Sequence, residues 1–455
     1  MIVACALFME NMDSTIIATS LPQIAQDLAV NPISLKLALT SYLVSLAVFI
    51  PISGWLADRF GARTTFMSAI GVFMLGSLFC ALVNSLTGLV AARFLQGMGG
   101  AMMVPVGRLL ILRTVDKSEL VTAMSYLTIP ALMGPVLGPP LGGLITTYFH
   151  WRWIFLINMP IGLVGLYMAL RYIPNLRETT RTPLDWRGFV WSGLGLSLLM
   201  LGLNTLGRHL MSTETSLIIM VLGILGVSGY LMHMRRTSHP LIDLSLMSVR
   251  TFRISVLGGS LFRIGTGAIP FLLPLMLQLG LGLNPFESGL VTCLSAFGAI
   301  FVKTIATRIL RRYGFRRVLL INTLLSALGT LGYGLFVMAP PYWMMAIVLI
   351  LLGCFRSLEF TSLGALSFAD IEKPKMSRAT GLSSISQQLS ISLGVTIAAF
   401  ALQGTSALQG RELPITEDFL PAFAVVALIT VLSVWQFRQL AHDDGIQVSG
   451  HGKVA

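Results

Sequence analysis

Arg59-Phe60-Gly61-Ala62-Arg63 recurs as Arg312-Tyr313-Gly314-Phe315-Arg316. Each copy is a short basic stretch between two apolar runs, and the two lie 253 residues apart. A repeat on that scale implies two related halves. In a chain this apolar, paired halves imply a carrier with a central site, not an anchored enzyme.

Composition sets the environment. Hydrophobic residues make up 55% of the 455 residues and charged residues 11%, with mean hydropathy +0.81. Soluble domains carry about 25% charge. Runs of roughly 20 apolar residues, enough to cross a ~30 Å hydrocarbon core, follow one another along the whole chain. In lipid each must be a helix, because only a helix satisfies its own backbone. The expected fold is all-α and polytopic. Fourteen spans are predicted, near 2–24, 36–57, 64–84, 88–111, 120–147, 153–173, 187–206, 215–234, 252–280, 288–308, 317–338, 342–363, 379–403 and 418–438.

Basic residues fix the expected orientation. Arg59, Arg63, Arg113, Lys117, Arg171, Arg177, Arg181, Arg187, Arg235, Arg236, Arg250, Arg253, Arg308, Arg311, Arg312, Arg316, Arg317, Lys373, Lys375 and Arg378 all follow even-numbered spans. The alternate loops hold Lys36, Arg152, Arg208 and Arg411. Positive loops stay inside, so both termini are expected in the cytoplasm. The net charge of +12 is mostly this bias. Because the charge is scattered over separate loops, no nucleic-acid partner is expected. Cys5, Cys80, Cys293 and Cys354 lie in apolar spans without paired spacing and read as small hydrophobes. The first run lacks a basic n-region and a cleavage site, so it does not read as a signal peptide. Asp13 follows only twelve residues with no basic tail; either the native start lies upstream or the chain amine alone marks the cytoplasmic end.

The 253-residue offset equals six spans plus two. The expected division is residues 1–175 as a six-helix bundle, 176–250 as an inserted helix pair, 251–440 as a second six-helix bundle, and 441–455 as a cytoplasmic tail. The segments 175–187 and 235–253 are the expected hinges. The same offset sets Glu10 against Arg263 in the first helix of each half.

Gly54-Trp55-Leu56-Ala57-Asp58-Arg59-Phe60-Gly61-Ala62-Arg63 resembles the loop signature G-x-L-A-D-R-x-G-[RK]-[RK] of the major facilitator superfamily, departing from it at Ala62. Three further stretches resemble the drug:proton antiporters within it. These are Met12-Asp13-Ser14-Thr15-Ile16-Ile17 with Leu21-Pro22, then Arg93-Phe94-Leu95-Gln96-Gly97-Met98-Gly99-Gly100, then Gly134-Pro135-Val136-Leu137-Gly138-Pro139-Pro140-Leu141-Gly142-Gly143. Trp151-Arg152-Trp153-Ile154-Phe155-Leu156-Ile157-Asn158 resembles the sixth-helix entry of the fourteen-span branch. Arg263-Ile264-Gly265-Thr266-Gly267 and 387–394 carry the likeness more weakly into the second half. The chain is similar to the EmrB/QacA type, near enterobacterial exporters linked to multidrug or homocysteine resistance. The resemblance implies a major-facilitator fold of two pseudo-symmetric six-helix bundles plus two inserted helices. It also implies proton-coupled export of small amphipathic organic compounds from the bacterial inner membrane.

Physical chemistry suggests roles for single residues. Asp13 falls near mid-membrane, where an ionised carboxylate must be paired or protonated. Changing access to water and to a cation would load and unload its proton. Arg93 is the partner implied by the resemblance, and Gln96, three residues on, shares its face. The other reading is a fixed Asp13–Arg93 bridge. Glu10 shares Asp13's face and is a second proton site, a cation anchor or a vestibule residue. Asp58 sits at a helix C-terminus, where a carboxylate is disfavoured, so it needs a donor partner. A partner made in only one state would bias the equilibrium, which makes Gly54, Asp58, Arg59, Gly61 and Arg63 a candidate switch. Arg311 takes the place of Asp58 in the second copy, so such a latch is one-sided. Gly134, Gly138, Gly142 and Gly143 make a smooth face, and Pro135 and Pro139 bend it. In the family resembled, that helix touches the other half.

Glu359, Arg263, Gln96 and Gln388 are the candidate substrate contacts. Glu359 also stands three residues from Arg356, close enough to pair with it instead. Lys303 is expected to snorkel to the cytoplasmic surface. No catalytic cluster, metal spacing or phosphate loop is present, so no enzyme and no cofactor beyond the coupling proton is expected. The expected partners are a small-molecule substrate and membrane lipid, with a monomer as the transport unit. Rival readings are an exporter of one metabolite such as an amino acid, an uptake symporter, and a channel.

Overall fold

The computed structural model describes residues 2–30, 34–175, 182–206, 211–338, 340–411 and 415–451. Among these residues every regular element is helical. In order they are α1 (Ile2–Asp27), α2 (Lys36–Phe49), α3 (Ser53–Phe60), α4 (Ala62–Leu82), α5 (Leu86–Thr114), α6 (Leu120–Tyr148), α7 (Trp153–Leu156), α8 (Asn158–Tyr172), α9 (Trp186–Leu206), α10 (Thr213–Met234), α11 (Arg250–Gly267), α12 (Ile269–Leu275), α13 (Pro285–Gly334), α14 (Tyr342–Leu366), α15 (Met376–Leu408), α16 (Phe419–Phe437) and α17 (Ile446–Ser449). Arg177, Arg181 and Arg208, part of the 175–187 hinge, and residues 452–455 of the expected tail lie outside the described residues.

Among the described residues ten helices are long and apolar enough to cross a membrane, or eleven if α2 and α3, bent by 56°, form one span. The protein is a multi-pass membrane protein. Its helices show why: α10 leaves Leu217, Ile218, Val221, Leu222 and Leu225 exposed, a surface that water would not tolerate. α13 differs from expectation. It runs continuously over two predicted spans, 288–308 and 317–338. At 1.5 Å per residue its 50 residues would reach about 75 Å, more than twice a hydrocarbon core. The break is local: Gly314 alone inside it is non-helical, at φ 71°. Gly61, its counterpart in the first copy, separates α3 from α4 at φ 96°. The repeat is therefore one of backbone shape. Each copy needs a glycine for the left-handed turn, and the residue after it, Ala62 or Phe315, is buried.

The chain divides into two compact units. The first comprises Met1–Thr114, Pro130–Leu244 and Glu372–Ile385, and the second Val115–Ile129, Ser245–Ile371 and Ser386–Ala455. So α6 begins in the second unit and ends in the first, and α15 does the reverse. Within the first unit α4 lies along α5, α2 on α5, and α1 on α8. One end is filled by Ile16, Ile24, Leu89, Trp151, Ile154 and Phe155. Helices α9 and α10, expected from the sequence as an inserted pair, belong to this unit. The two helices meet at Gly195 and Gly226, with no room for a side chain at either, and α9 lies against α2 at Val48.

Within the second unit both arms of α13 pack on α14. Ser357 Oγ donates to Ala299 O of the first arm at 2.9 Å, and Asn322 of the second arm donates to Phe355 O at 2.7 Å. Phe336, Leu349, Phe419 and Phe423 fill its core with Leu272 and Met276. Residues 440–451 fold back on this unit, where His451 Nδ1 lies 2.9 Å from Arg311 O.

Candidate functional site

Asp13 is where the first unit concentrates its polar groups. It stands eleven residues into α1, about 16 Å along the axis, and is 1% exposed. Arg93 on α5 donates from Nη1 to Asp13 Oδ2 at 2.6 Å. Gln96, one turn on, donates from Nε2 to Asp13 Oδ1 at 2.8 Å and to Ser77 Oγ of α4 at 2.6 Å. Arg93 Nη1 also reaches Gln96 Oε1 at 2.5 Å. Asn158, the first residue of α8, donates to Asp13 Oδ1 at 3.0 Å and to Ser77 Oγ at 3.1 Å. Two helices, α5 and α8, thus donate to the carboxylate that α1 carries, and α4 joins the network through Ser77.

The surroundings favour the ion pair. The Arg93 guanidinium lies 4.4 Å from the centroid of Tyr42 on α2 and 5.9 Å from Phe155 on α7, so aromatic faces carry part of its charge. A buried pair is tolerable only when its remaining lone pairs and protons are also satisfied. The Asp13 side meets that condition, with three donors on two oxygens, whereas Arg93 Nε is buried without a hydrogen-bond partner among the described residues. Glu10, one turn earlier, does not meet it: it is half-buried, and its Oε2 is enclosed without a hydrogen-bond partner among the described residues.

Asp13, Arg93 and Gln96, all candidates from the sequence, come into mutual contact here. Asn158 stands in the sequence only at the end of a motif stretch, and Ser77 and Tyr42 are not among the candidates. A polar residue inside an otherwise apolar span was the available signal.

The loop residues form a second constellation. Asp58, near the end of α3, accepts from Arg113 Nη2 at 2.8 Å and from Ser377 Oγ at 2.5 Å. Arg113 ends α5 and Ser377 begins α15. A Cβ on Gly54 would sit 2.8 Å from Ser377 O, so the glycine lets these backbones meet. Arg63 Nη1 reaches Ile173 O, just past α8, at 3.2 Å. Arg59 is exposed. Ala62 is fully buried.

Gly134 and Gly138 of α6 lie against α1. A Cβ on Gly134 would meet Met12 N at 2.7 Å, and Gly138 faces Thr15. The close approach therefore serves a contact within the first unit, on both sides of Asp13. Gly142 is buried, and Gly143 has open space beside it. Pro135 and Pro139 lie in α6, and their side chains fall outside the described residues.

In the second unit Glu359 is fully buried on α14. It accepts from Asn322 Nδ2 at 2.7 Å and from Thr323 Oγ1 at 3.0 Å, and does not bridge to Arg356. Arg263 on α11 is buried, with its guanidinium 5.8 Å from the ring of Phe360. Gln388 on α15 is half-buried. Lys303 corrects the snorkelling expectation. It is buried and donates into α14, to Thr361 Oγ1 and to Ser357 O.

The sequence profile of the Major Facilitator Superfamily matches residues 3–395 and again 255–446. A protein of Pectobacterium atrosepticum named multidrug resistance protein MdtD is 40% identical over 402 residues, covering 88% of this chain and 86% of that one. MdtD of Escherichia coli strain K12 is 38% identical over 447 residues, covering 97% and 94%. Among solved structures, the human organic anion transporter MFSD10 superposes with a TM-score of 0.70 at 14% identity, over 96% of this chain and 98% of that one. A double-tryptophan mutant of XylE gives 0.69 at 14% identity, over 99% and 97%. A repeated loop, an all-helical membrane fold and a profile match over nearly the whole length lead to one assignment: this chain belongs to the major facilitator superfamily of membrane transporters.

Proposed function

We propose that this transporter is a proton-driven antiporter that exports small amphipathic organic compounds. The observation that carries the reading is the Asp13 network. A carboxylate buried at mid-span, beside a cation and reached by three donors, can exist in two charge states. Its proton affinity changes whenever Arg93 or water access changes. Proton coupling requires that property. Relatives named for multidrug resistance support an organic substrate and the outward direction.

The transport unit is a monomer with fourteen crossings in the bacterial inner membrane and both termini in the cytoplasm. Ten apolar helices, the bent α2–α3 pair, the break at Gly314, and the lengths of α1 and α6 support the count. The distribution of arginine and lysine supports the orientation. Arg263, Glu359 and Gln388 of the second unit, and Gln96 of the first, are the candidate substrate contacts, and no cofactor takes part beyond the proton. Asp58, with Gly54, Arg59, Gly61 and Arg63, is the conformational switch. Its bonds to Arg113 and Ser377 stabilise the state that holds them.

The test is ethidium flux in proteoliposomes under an imposed pH gradient, for the wild type and Asp13→Asn. The wild type moves dye with the gradient. The variant still binds dye but loses gradient-driven movement. Undiminished driven flux in Asp13→Asn refutes the coupling role. Parallel assays with homocysteine separate multidrug export from export of one metabolite.

A further inference from the structure

The inserted pair α9–α10 has loops that reach the switch. Thr182, Pro183 and Asp185, before α9, and residues 239–242, after α10, line a cavity with Gly54 and Asp58 of the switch, with Trp55 beside them, and with Ser377, Arg378 and Gly381 at the start of α15. All belong to the first unit. Two bonds join these segments. Trp55 Nε1 donates to Thr182 O at 3.0 Å, and Arg378 Nη1 meets Asp243 Oδ2 at 3.2 Å. Arg378 follows Ser377, the residue bonded to Asp58.

Both loops are held firmly by the inserted helices. Tyr230 of α10 is 3% exposed. Its hydroxyl donates to Ile242 O at 2.9 Å and accepts from Ile242 N at 2.7 Å. This pair of hydrogen bonds to one residue fixes the backbone next to Asp243. Asp185 caps α9 by accepting from Gly188 N at 2.8 Å, and it also lies 2.8 Å from His233 Nε2 of α10. Both loops are thus hydrogen-bonded to the helices of the pair.

We propose that the inserted pair is a positioning element of the switch. Asp243, braced by Tyr230, grips Arg378 and sets the start of α15 so that Ser377 meets Asp58. Thr182 fixes the other side through Trp55. Asp243 and Arg378 are positioning residues that act through Ser377. The inference rests on the reading of Asp58 as the switch. It adds that the seventh and eighth predicted spans regulate the same contact.

The distance measurement needs neither substrate nor proton gradient. Full-length protein, with Cys5, Cys80, Cys293 and Cys354 replaced by alanine, is spin-labelled at Arg236 and Lys373, both exposed. Distances are read in nanodiscs by pulsed electron resonance. Asp243→Arg and Arg378→Asp each reduce the short-distance population roughly two- to five-fold, the scale for a partly exposed ion pair. The double reversal restores it, and Arg378→Lys keeps most of it. Single reversals that leave the distribution unchanged overturn the proposal. So does a double variant that melts normally yet fails to recover the short distance. Asp58→Asn separates the two readings. If it leaves the distances and ethidium flux unchanged while the reversals act, the clamp stands and the switch falls.

Discussion

Gly76→Ala tests whether the Asp13 network depends on how closely α4 and α5 approach. Gly76 is buried next to Ser77, and a Cβ there would lie 2.5 Å from both the Cα and the N of Gln96. Ordinary contact begins at 3.4 Å, so the helices must part by about 0.9 Å, because backbone cannot swing aside. The Gln96–Ser77 bond, now 2.6 Å, would then stretch beyond the usual range of about 2.7–3.2 Å. Overpacking of this kind costs about 1–3 kcal/mol, and each neutral bond lost adds about 0.5–1.5 kcal/mol. Gly71→Ala, on the same helix with nothing within 4 Å, is the control. It receives the same gain in helix propensity, up to ~1 kcal/mol, without the strain. Thermal melts in detergent and gradient-driven ethidium flux are compared for the pair. Gly76→Ala should melt lower and transport more slowly than Gly71→Ala. Indistinguishable behaviour would mean that helix separation does not set the network's geometry.

Asp58→Asn removes the charge from two hydrogen bonds, each worth about 1.5–3 kcal/mol. Flux at saturating dye should fall about ten-fold or more with dye affinity unchanged, and equal turnover would exclude the switch. Asn158→Leu strips one donor from both Asp13 and Ser77, which should cost about 1–3 kcal/mol in denaturant unfolding; an unchanged midpoint would make the α8 contact incidental. Asp27, at the C-terminal end of α1, has its carboxyl held below the ordinary 3.8, first by the indole N–H of Trp151 and then by Arg152. A lowered folded value means that this contribution is present above the ordinary pKa and is lost as pH falls through the lowered one. Asp27→Asn should therefore flatten the acid limb of melting temperature against pH, measured from about pH 6 to about pH 3; an unchanged limb would assign it to other groups.

Much of the site was legible because its chemistry is local in type. An aspartate inside an apolar span is costly wherever it occurs, so Asp13 stands out before any fold is known. Arg93 and Gln96 share a face by helical arithmetic alone. Gly61 and Gly314 announced a repeated turn, and both take positive φ. Ser77 and Asn158 were not legible, since one serine or asparagine in a membrane helix is usually satisfied by its own backbone. Here they face a carboxylate on another helix, which spacing within one segment cannot reveal. Lys303 shows the same limit: its length permits snorkelling, but a neighbouring hydroxyl and a carbonyl hold it inside.

The amino-acid sequence by itself determined the solvent, the helical class and the paired loops, because bilayer thickness and backbone satisfaction act on every run of twenty residues without reference to the others. Tertiary structure alone decided that Asp58 meets Ser377 across 319 positions, that α6 turns its glycines to α1, and that Arg378 at the start of α15 meets Asp243 beyond α10. Those pairings arise from which faces come together, and a carboxylate or a glycine carries no label for its distant partner.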